Sequence, residues 1–402
     1  MKFAHIADCH VGGWREPKLR AVNTKSFVSV IDYCLKASLD FVLLSGDLFN
    51  TAMPPMDCLR IVVEKLKQLA DRNIPVYAIP GSHDFSASGK TILDVLESAG
   101  LMKNICVGKE VEGKLRLDFT IDPKTKIKIA GLLGKKGGLE KNYFYNLDKE
   151  HLEEKSTRYK IFMFHSALSE LKPKGMEKMD AMPVSLLPKN FDYYAGGHVH
   201  VIDKATIEGY ENIVYPGPIY PNSFSELEKL KKGSFVIVDD GHIQHLKIEP
   251  HPVESFELDC KNKTPEETNQ ELLELLERKE LKDAIITLRA KGCLRTGTPT
   301  EIKFREFFNK AYEQGAYFVM KNANKLVSKE FEEIKTSKNS VEEIEDAAIS
   351  EHSGQLNVYD VEKEKELTKE LIRILSTEKE DGEKTADFDN RIKAEVDVMM
   401  EL

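Results

Sequence analysis

The chain has 402 residues, more than one hydrophobic core organises, since cores stop growing near ~250 to 300 residues. It is 41% hydrophobic and 31% charged, its apolar runs are far shorter than the ~20 residues of a spanning helix, and its six scattered cysteines contain no C-x-x-C pair, so a helical membrane protein, a zinc ribbon and a disulfide scaffold are all excluded. The net charge of −9 belongs to residues 336–402, where 19 Asp and Glu face 9 Lys and Arg, so the near-neutral body neither requires nor forbids a nucleic-acid partner.

The start, "MKFAHIAD", enters a strand pattern at once and lacks the features of a secretory signal, so a cytoplasmic protein without membrane attachment is expected. From there to about residue 240, short runs rich in β-branched and aromatic residues read as strands: "KFAHIAD", "FVLLSGD", "PVYAIPG", "KIKIAGLLG", "YKIFMFH", "FDYYAGG", "NIVYPG" and "GSFVIVDD". Helices are expected over about Leu19–Ser38, Pro54–Asp71 and Lys90–Ser98, the last closed by Gly100. Alternation at this density predicts a layered α/β domain over residues 1–245. Residues 250–335 read as strand, helix, strand, helix, strand, with a capping box at Thr264 and Glu267, which makes a small α+β module. Residues 336–402 form an acidic segment with helical patterns at Ser340–Glu351 and Val361–Leu375. A last amphipathic stretch puts Phe388, Ile392, Val396 and Met399 on one face, and such a face needs a partner surface.

The chemistry lies at the strand ends. Loops past the C-terminal ends of strands in layered α/β folds converge on one crevice. Asp8 and His10 follow "FAHIA", Asp47 follows "FVLLSG", His83 and Asp84 follow "VYAIPG", His165 ends "KIFMF", and His198 and His200 follow "YYAGG". Alone, each has an ordinary reading as a turn or a polar strand end. Five such elements in one chain point to a metal centre, and a mixed histidine and carboxylate set suits Mn, Fe or Zn better than Mg or Ca. His5, inside the first strand, reads as a core histidine, and His242, His245 and His251, without paired carboxylates, read as surface residues.

"DCH" (8–10), "GDLF" (46–49), "GSHD" (81–84), His165 and "GHVH" (197–200) resemble, in order and spacing, the calcineurin-like metallophosphoesterase superfamily. "LSGDLFNTAMPP", the module after residue 250 and the amphipathic tail resemble more narrowly the SbcD-type nucleases of DNA double-strand-break repair. The resemblance implies a layered β-sandwich flanked by helices, a small α+β capping domain that touches DNA, and a helical C-terminal tail. It implies that Asp8, His10, Asp47 and His200 hold one metal, and that Asp47, position 82, His165 and His198 hold the other, with Asp47 bridging. The ions would be two Mn, with other divalent transition metals as substitutes. His83 would face the scissile phosphate, and Asp84 would orient its ring. This chain carries Ser82 where the family places asparagine, which predicts a loosened second metal site. Asn50 stands where some relatives have a histidine that helps place the strand end.

The function implied is a manganese-dependent DNA nuclease, both 3′ to 5′ exonuclease and single-strand endonuclease. It would act at DNA ends, as a nucleoid-associated homodimer, with an SMC-like coiled-coil ABC ATPase of the SbcC type docked on the tail. Lys135, Lys136, Lys172 and Lys174, in two basic loops on the metal side, are candidate phosphate contacts. The alternatives are a phosphatase or small phosphodiesterase of the same superfamily, and a non-catalytic repair scaffold whose metal site is weakened at Ser82.

Overall fold

The computed structural model describes residues 1–85, 91–173, 179–278, 280–329, 341–354, 359–377 and 385–400. The chain divides into two compact units, Met1–Val253 and Glu254–Leu402.

The first unit is built on two six-stranded sheets. In spatial order the first runs His242–Ile248, Gly233–Asp239, Lys2–Ile6, Phe41–Ser45, Val76–Ile79 and Lys103–Asn104; the second runs Ile202–Ile207, Tyr210–Pro216, Tyr193–Gly197, Lys160–His165, Lys128–Gly131 and Thr120–Ile121. The strands at the heart of each sheet are parallel, so their C-terminal ends share one edge. Successive strand residues face opposite sides of a sheet, and this sorts the core into layers. Phe3, Phe41, Leu43, Tyr77 and Ile79 of the first sheet pack against Ile129, Ile161, Met163, Tyr193 and Ala195 of the second. The Phe3 and Phe41 rings stack at 4.8 Å, and Tyr193 meets Phe3 edge-on at 5.3 Å. The alternate residues Ala4, Ile6, Val42 and Leu44 face outward onto helices Pro17–Lys36 and Met56–Asp71, through Phe27, Ile31, Val62 and Leu66. On the far side Phe162, Phe164 and Tyr215 are covered by Phe144 and Leu152 of two short helices, Lys141–Tyr145 and Lys149–Glu153. The result is the expected sandwich, two sheets face to face between helical layers.

The inner rows of this sandwich end in the site. Past Ile161 and Met163 the next inward position on its strand is His165, and past Phe41 and Leu43 it is Ser45. His5 lies in the same layer, with Nδ1 2.9 Å from Tyr193 Oη, and burial pushes its imidazole down to about 3. It is a core histidine. His251, by contrast, is buried rather than at the surface, because it sits two residues ahead of the buried Val253 where one strand gives way to the next.

In the second unit strands Val253–Asp259, Ile285–Leu294 and Phe318–Ser328 form a sheet with helices Pro265–Glu274 and Phe304–Glu313 packed through Leu272, Ile286, Leu288, Phe307 and Leu326. Both bonds of the Thr264–Glu267 capping box are formed. Helices Val341–His352, Val361–Leu375 and Thr385–Met399 follow, and Ser328 Oγ donates to the Glu351 carboxylate at 2.8 Å, fastening the first of them to the sheet. Among the described residues no helix is long and apolar enough to cross a membrane.

Candidate metal centre

Two strand ends continue side by side into the site: the Asp8, His10 and Val11 amides donate to the carbonyls of Gly46, Asp47 and Leu48 at 2.9 to 3.1 Å. Asp8, His10, Asp47 and His198 all adopt positive φ, between 43° and 87°, which costs a non-glycine residue about 1–3 kcal/mol each. A core in which each buried aliphatic or aromatic side chain contributes about 1.5–3 kcal/mol can hold such strain. Gly46 and Gly81 are required here: a Cβ on Gly46 would lie 2.2 Å from His165 Nδ1, and one on Gly81 would lie 2.2 Å from Asp47 Oδ1.

Asp47 is the hub. Its Oδ1 accepts from the His83 amide at 2.7 Å, and its Oδ2 takes the Ser82 hydroxyl at 3.4 Å, with His165 Nε2 at 3.2 Å and His10 Nε2 at 3.8 Å. Both oxygens of Asp8 accept from the His198 amide, and His200 Nε2 stands 3.8 Å from Asp8 Oδ1. His10 Nε2 and His200 Nε2 approach to 3.0 Å. Three groups of donor atoms thus lie within 4.8 Å of one another: Asp8, His10 and His200; Asp8, Asp47 and His165; and His10, Asp47 and His83. The His198 ring lies beside that of His165, centroids 5.1 Å apart, but outside these groups.

The ring nitrogens are oriented from behind. A carbonyl only accepts, so the bonds from His165 Nδ1 to Ser45 O at 2.8 Å and from His83 Nδ1 to Asn50 O at 2.7 Å place the proton on Nδ1 and leave Nε2 for the site. His200 Nδ1 is held in the same way by Glu226 Oε2 at 3.0 Å. Burial, with His200 beside it, pushes His10 down to about 3, and burial with His165 beside it pushes His198 to about 4. Burial opposes charge on His165 too, yet Asp47 lifts it to about 10; Glu226 and Asp8 likewise lift His200 to about 9. His165 Nε2 is buried and lies 3.2 Å from Asp47 Oδ2, facing the space beside that carboxylate. This donor set fits a divalent cation.

The calcineurin-like phosphoesterase family matches residues 1–202, from the first strand to just past His200. The chain belongs to that family. It is also similar to proteins named DNA double-strand break repair protein Mre11: that of Methanococcus maripaludis at 32% identity over 58% of this chain and 60% of the relative, that of Archaeoglobus fulgidus at 26% over 73% and 68%, and that of Methanocaldococcus jannaschii at 29% over 65% and 68%. The chain thus spans about 60% of the length of the Methanococcus maripaludis relative. As a member of a phosphoesterase family the chain is an enzyme of a kind that uses divalent metal, and its clustered histidines and carboxylates could hold such an ion.

One expected role is corrected. Asp84 does not orient the His83 ring, which is held by the Asn50 carbonyl; its carboxylate instead accepts from the Gly81, Leu48 and Phe49 amides at 3.0, 3.2 and 3.1 Å. Burial, with Asp47 nearby, raises Asp84 to about 6. Adjacent residues in a tight turn send their side chains to different places, and this one turns inward to staple two loops. Glu226 was not anticipated. Its signal was Ser223-x-x-Glu226, a pattern that reads as a helix cap.

Among the lysines, Lys135 Nζ donates to Tyr143 Oη at 2.6 Å and lies 5.2 Å over the ring of Phe85, two residues beyond His83. Lys136 is exposed, Lys172 is half-buried, and Lys174 lies outside the described residues.

Proposed function

We propose that the chain is a manganese-dependent phosphodiesterase acting on DNA, a nuclease of double-strand-break repair with 3′ to 5′ exonuclease and single-strand endonuclease activity. The convergence of His10, His165 and His200 Nε2 on the carboxylates of Asp8 and Asp47 carries the reading. The relatives' printed names support the choice of DNA over a small ester. Asp8, His10 and His200 would hold one ion and Ser82, His165 and His198 the other, with Asp47 between them. Two bound ions supply a nucleophilic water near neutral pH and neutralise charge on the phosphoryl oxygens. His83, its Nδ1–H held by the Asn50 carbonyl, would act in its imidazolium form and donate the Nε2 proton to the departing oxygen. Lys135, Lys136, Lys172 and Lys174 would position the strand through its phosphates. Helix Thr385–Met399, with Phe388, Ile392, Val396 and Met399 half-buried and Val398 79% exposed, would dock on an SMC-like ABC ATPase in the cytoplasm, the nuclease acting as a homodimer.

The test is manganese-dependent cleavage of linear duplex and circular single-stranded DNA by the purified chain. His83→Ala should lower the rate about 10²- to 10⁴-fold, the scale of a lost general acid, while Mn²⁺ uptake stays unchanged. Turnover of an aryl phosphate monoester with no action on DNA would replace this reading with a phosphatase.

The long Ser82 to Asp47 contact favours a second reading, a scaffold with a decayed site. Ser82→Asn adds a side-chain carbonyl and should tighten Mn²⁺ binding about tenfold, about 1.4 kcal/mol, in a calorimetric titration. Activity in Ser82→Asn alone, with none in the native chain, would make the scaffold correct.

A further inference from the structure

The segment "PNSFSELEKL" (221–230) opens a short helix with Ser223 as its cap, whose Oγ accepts from the Glu226 amide at 3.2 Å. In an ordinary capping box the glutamate returns to the cap residue's own N–H. Here Glu226 Oε2 accepts one residue earlier, from the Asn222 amide at 2.8 Å, and also meets His200 Nδ1 at 3.0 Å. Two groups pin one carboxylate oxygen behind a candidate metal ligand. Asn222 then reaches the other way: its Nδ2 donates to Asn50 Oδ1 at 2.9 Å, and the Asn50 carbonyl takes the His83 Nδ1–H at 2.7 Å. The path exists because residue 13 is glycine; a Cβ there would lie 2.3 Å from Asn222 Oδ1. Trp14 Nε1 holds the preceding Pro221 carbonyl at 2.9 Å, and Pro218 pairs with Ala7, beside Asp8.

We propose that Asn222 and Glu226 are positioning residues that join the metal-side His200 and the phosphate-side His83, through Asn50, into one hydrogen-bonded unit. This rests on the phosphodiesterase reading and deepens it. A carboxylate behind a ligating histidine fixes its ring and raises its basicity, and losing such a partner costs 10- to 100-fold in metal affinity or activity. Asn222 acts at the other end, where it holds the loop whose carbonyl aims His83. The two ends therefore fail in different ways.

The test uses the full chain, stripped of metal, with Mn²⁺ binding read by calorimetric titration and turnover read on bis(p-nitrophenyl) phosphate. Glu226→Gln, nearly the same shape, should weaken Mn²⁺ binding about 10- to 100-fold while the metal-free chain keeps its native circular dichroism spectrum. Asn222→Ala should keep Mn²⁺ affinity within about twofold and lower kcat about tenfold at unchanged KM. The double variant should lose less in kcat than the product of the single losses, as coupled residues do. Native Mn²⁺ affinity in Glu226→Gln, or equal losses of kcat and Mn²⁺ affinity in Asn222→Ala, would overturn the proposal. A native chain that binds Mn²⁺ but hydrolyses no phosphodiester would refute the phosphodiesterase reading, and the Glu226 titration would still decide the role of that residue.

Discussion

Asp47→Ala is expected to abolish Mn²⁺ uptake and to lower DNA cleavage by at least about 10³-fold, since metal-borne charge stabilisation is worth several kcal/mol and each 1.36 kcal/mol is a factor of ten. Four groups converge on this carboxylate. One oxygen of Asp47 holds the His83 loop through its amide, and the other faces Ser82, His165 and His10. The neighbouring charges hold its carboxyl well below the usual range even though burial opposes this, so the group is ionised throughout the working pH range. Removing it takes a buried negative charge from between two histidine clusters, and the remaining donors offset the charge of a cation less well. Asp47→Asn separates the two roles of the residue, because it keeps the volume and an acceptor for the His83 amide but not the charge. It should fold as the native chain does and still take up no Mn²⁺. Metal uptake by Asp47→Asn equal to that of the native chain would show that Asp47 is not the shared ligand.

The parts of the site that were legible in the sequence are those where one local rule suffices. Period-2 alternation along "KIFMFH" puts His165 in the row of Ile161 and Met163, so its arrival at the edge of the inter-sheet core follows from the strand itself. Asp8, Asp47 and His200 likewise stand just past apolar runs. What escaped depends on pairings distant in sequence. The Gly233–Ile248 hairpin joins the first sheet beside Lys2–Ile6, which no local pattern encodes, and strand Ile202–Ile207 was missed because its sequence, "IDKATI", is that of a half-exposed edge. Glu226 was hidden by a motif with a sufficient explanation of its own, since a capping glutamate needs no further partner. Asp84 was misread for the opposite reason: adjacency to His83 suggested contact, whereas the turn carries the two side chains apart.

Asp84→Ala is expected to act on stability rather than on chemistry, and it separates the observed role from the one its neighbour suggested. Its carboxylate is the acceptor for three buried amides, those of Gly81, Leu48 and Phe49. A buried donor stripped of its partner costs about 1–3 kcal/mol, so three should cost about 3–6 kcal/mol after partial relaxation. At about 2–4 °C per kcal/mol for a unit of this size, the unfolding transition of the first unit should fall by on the order of 10 °C or more. Asp84→Asn keeps one accepting oxygen but turns an NH₂ group toward amides that need acceptors, and should fall between the two. Since Leu48 and Phe49 follow Asp47 directly, Mn²⁺ affinity should weaken in step with the midpoint. His83, held by Asn50, should keep its orientation, so kcat at saturating Mn²⁺ and low temperature should change by less than about tenfold, below the 10² to 10⁴ of a lost general acid. The opposite pattern, an unchanged midpoint with a large loss of kcat in Asp84→Asn, would mean that Asp84 serves His83 after all and that its three backbone bonds are incidental.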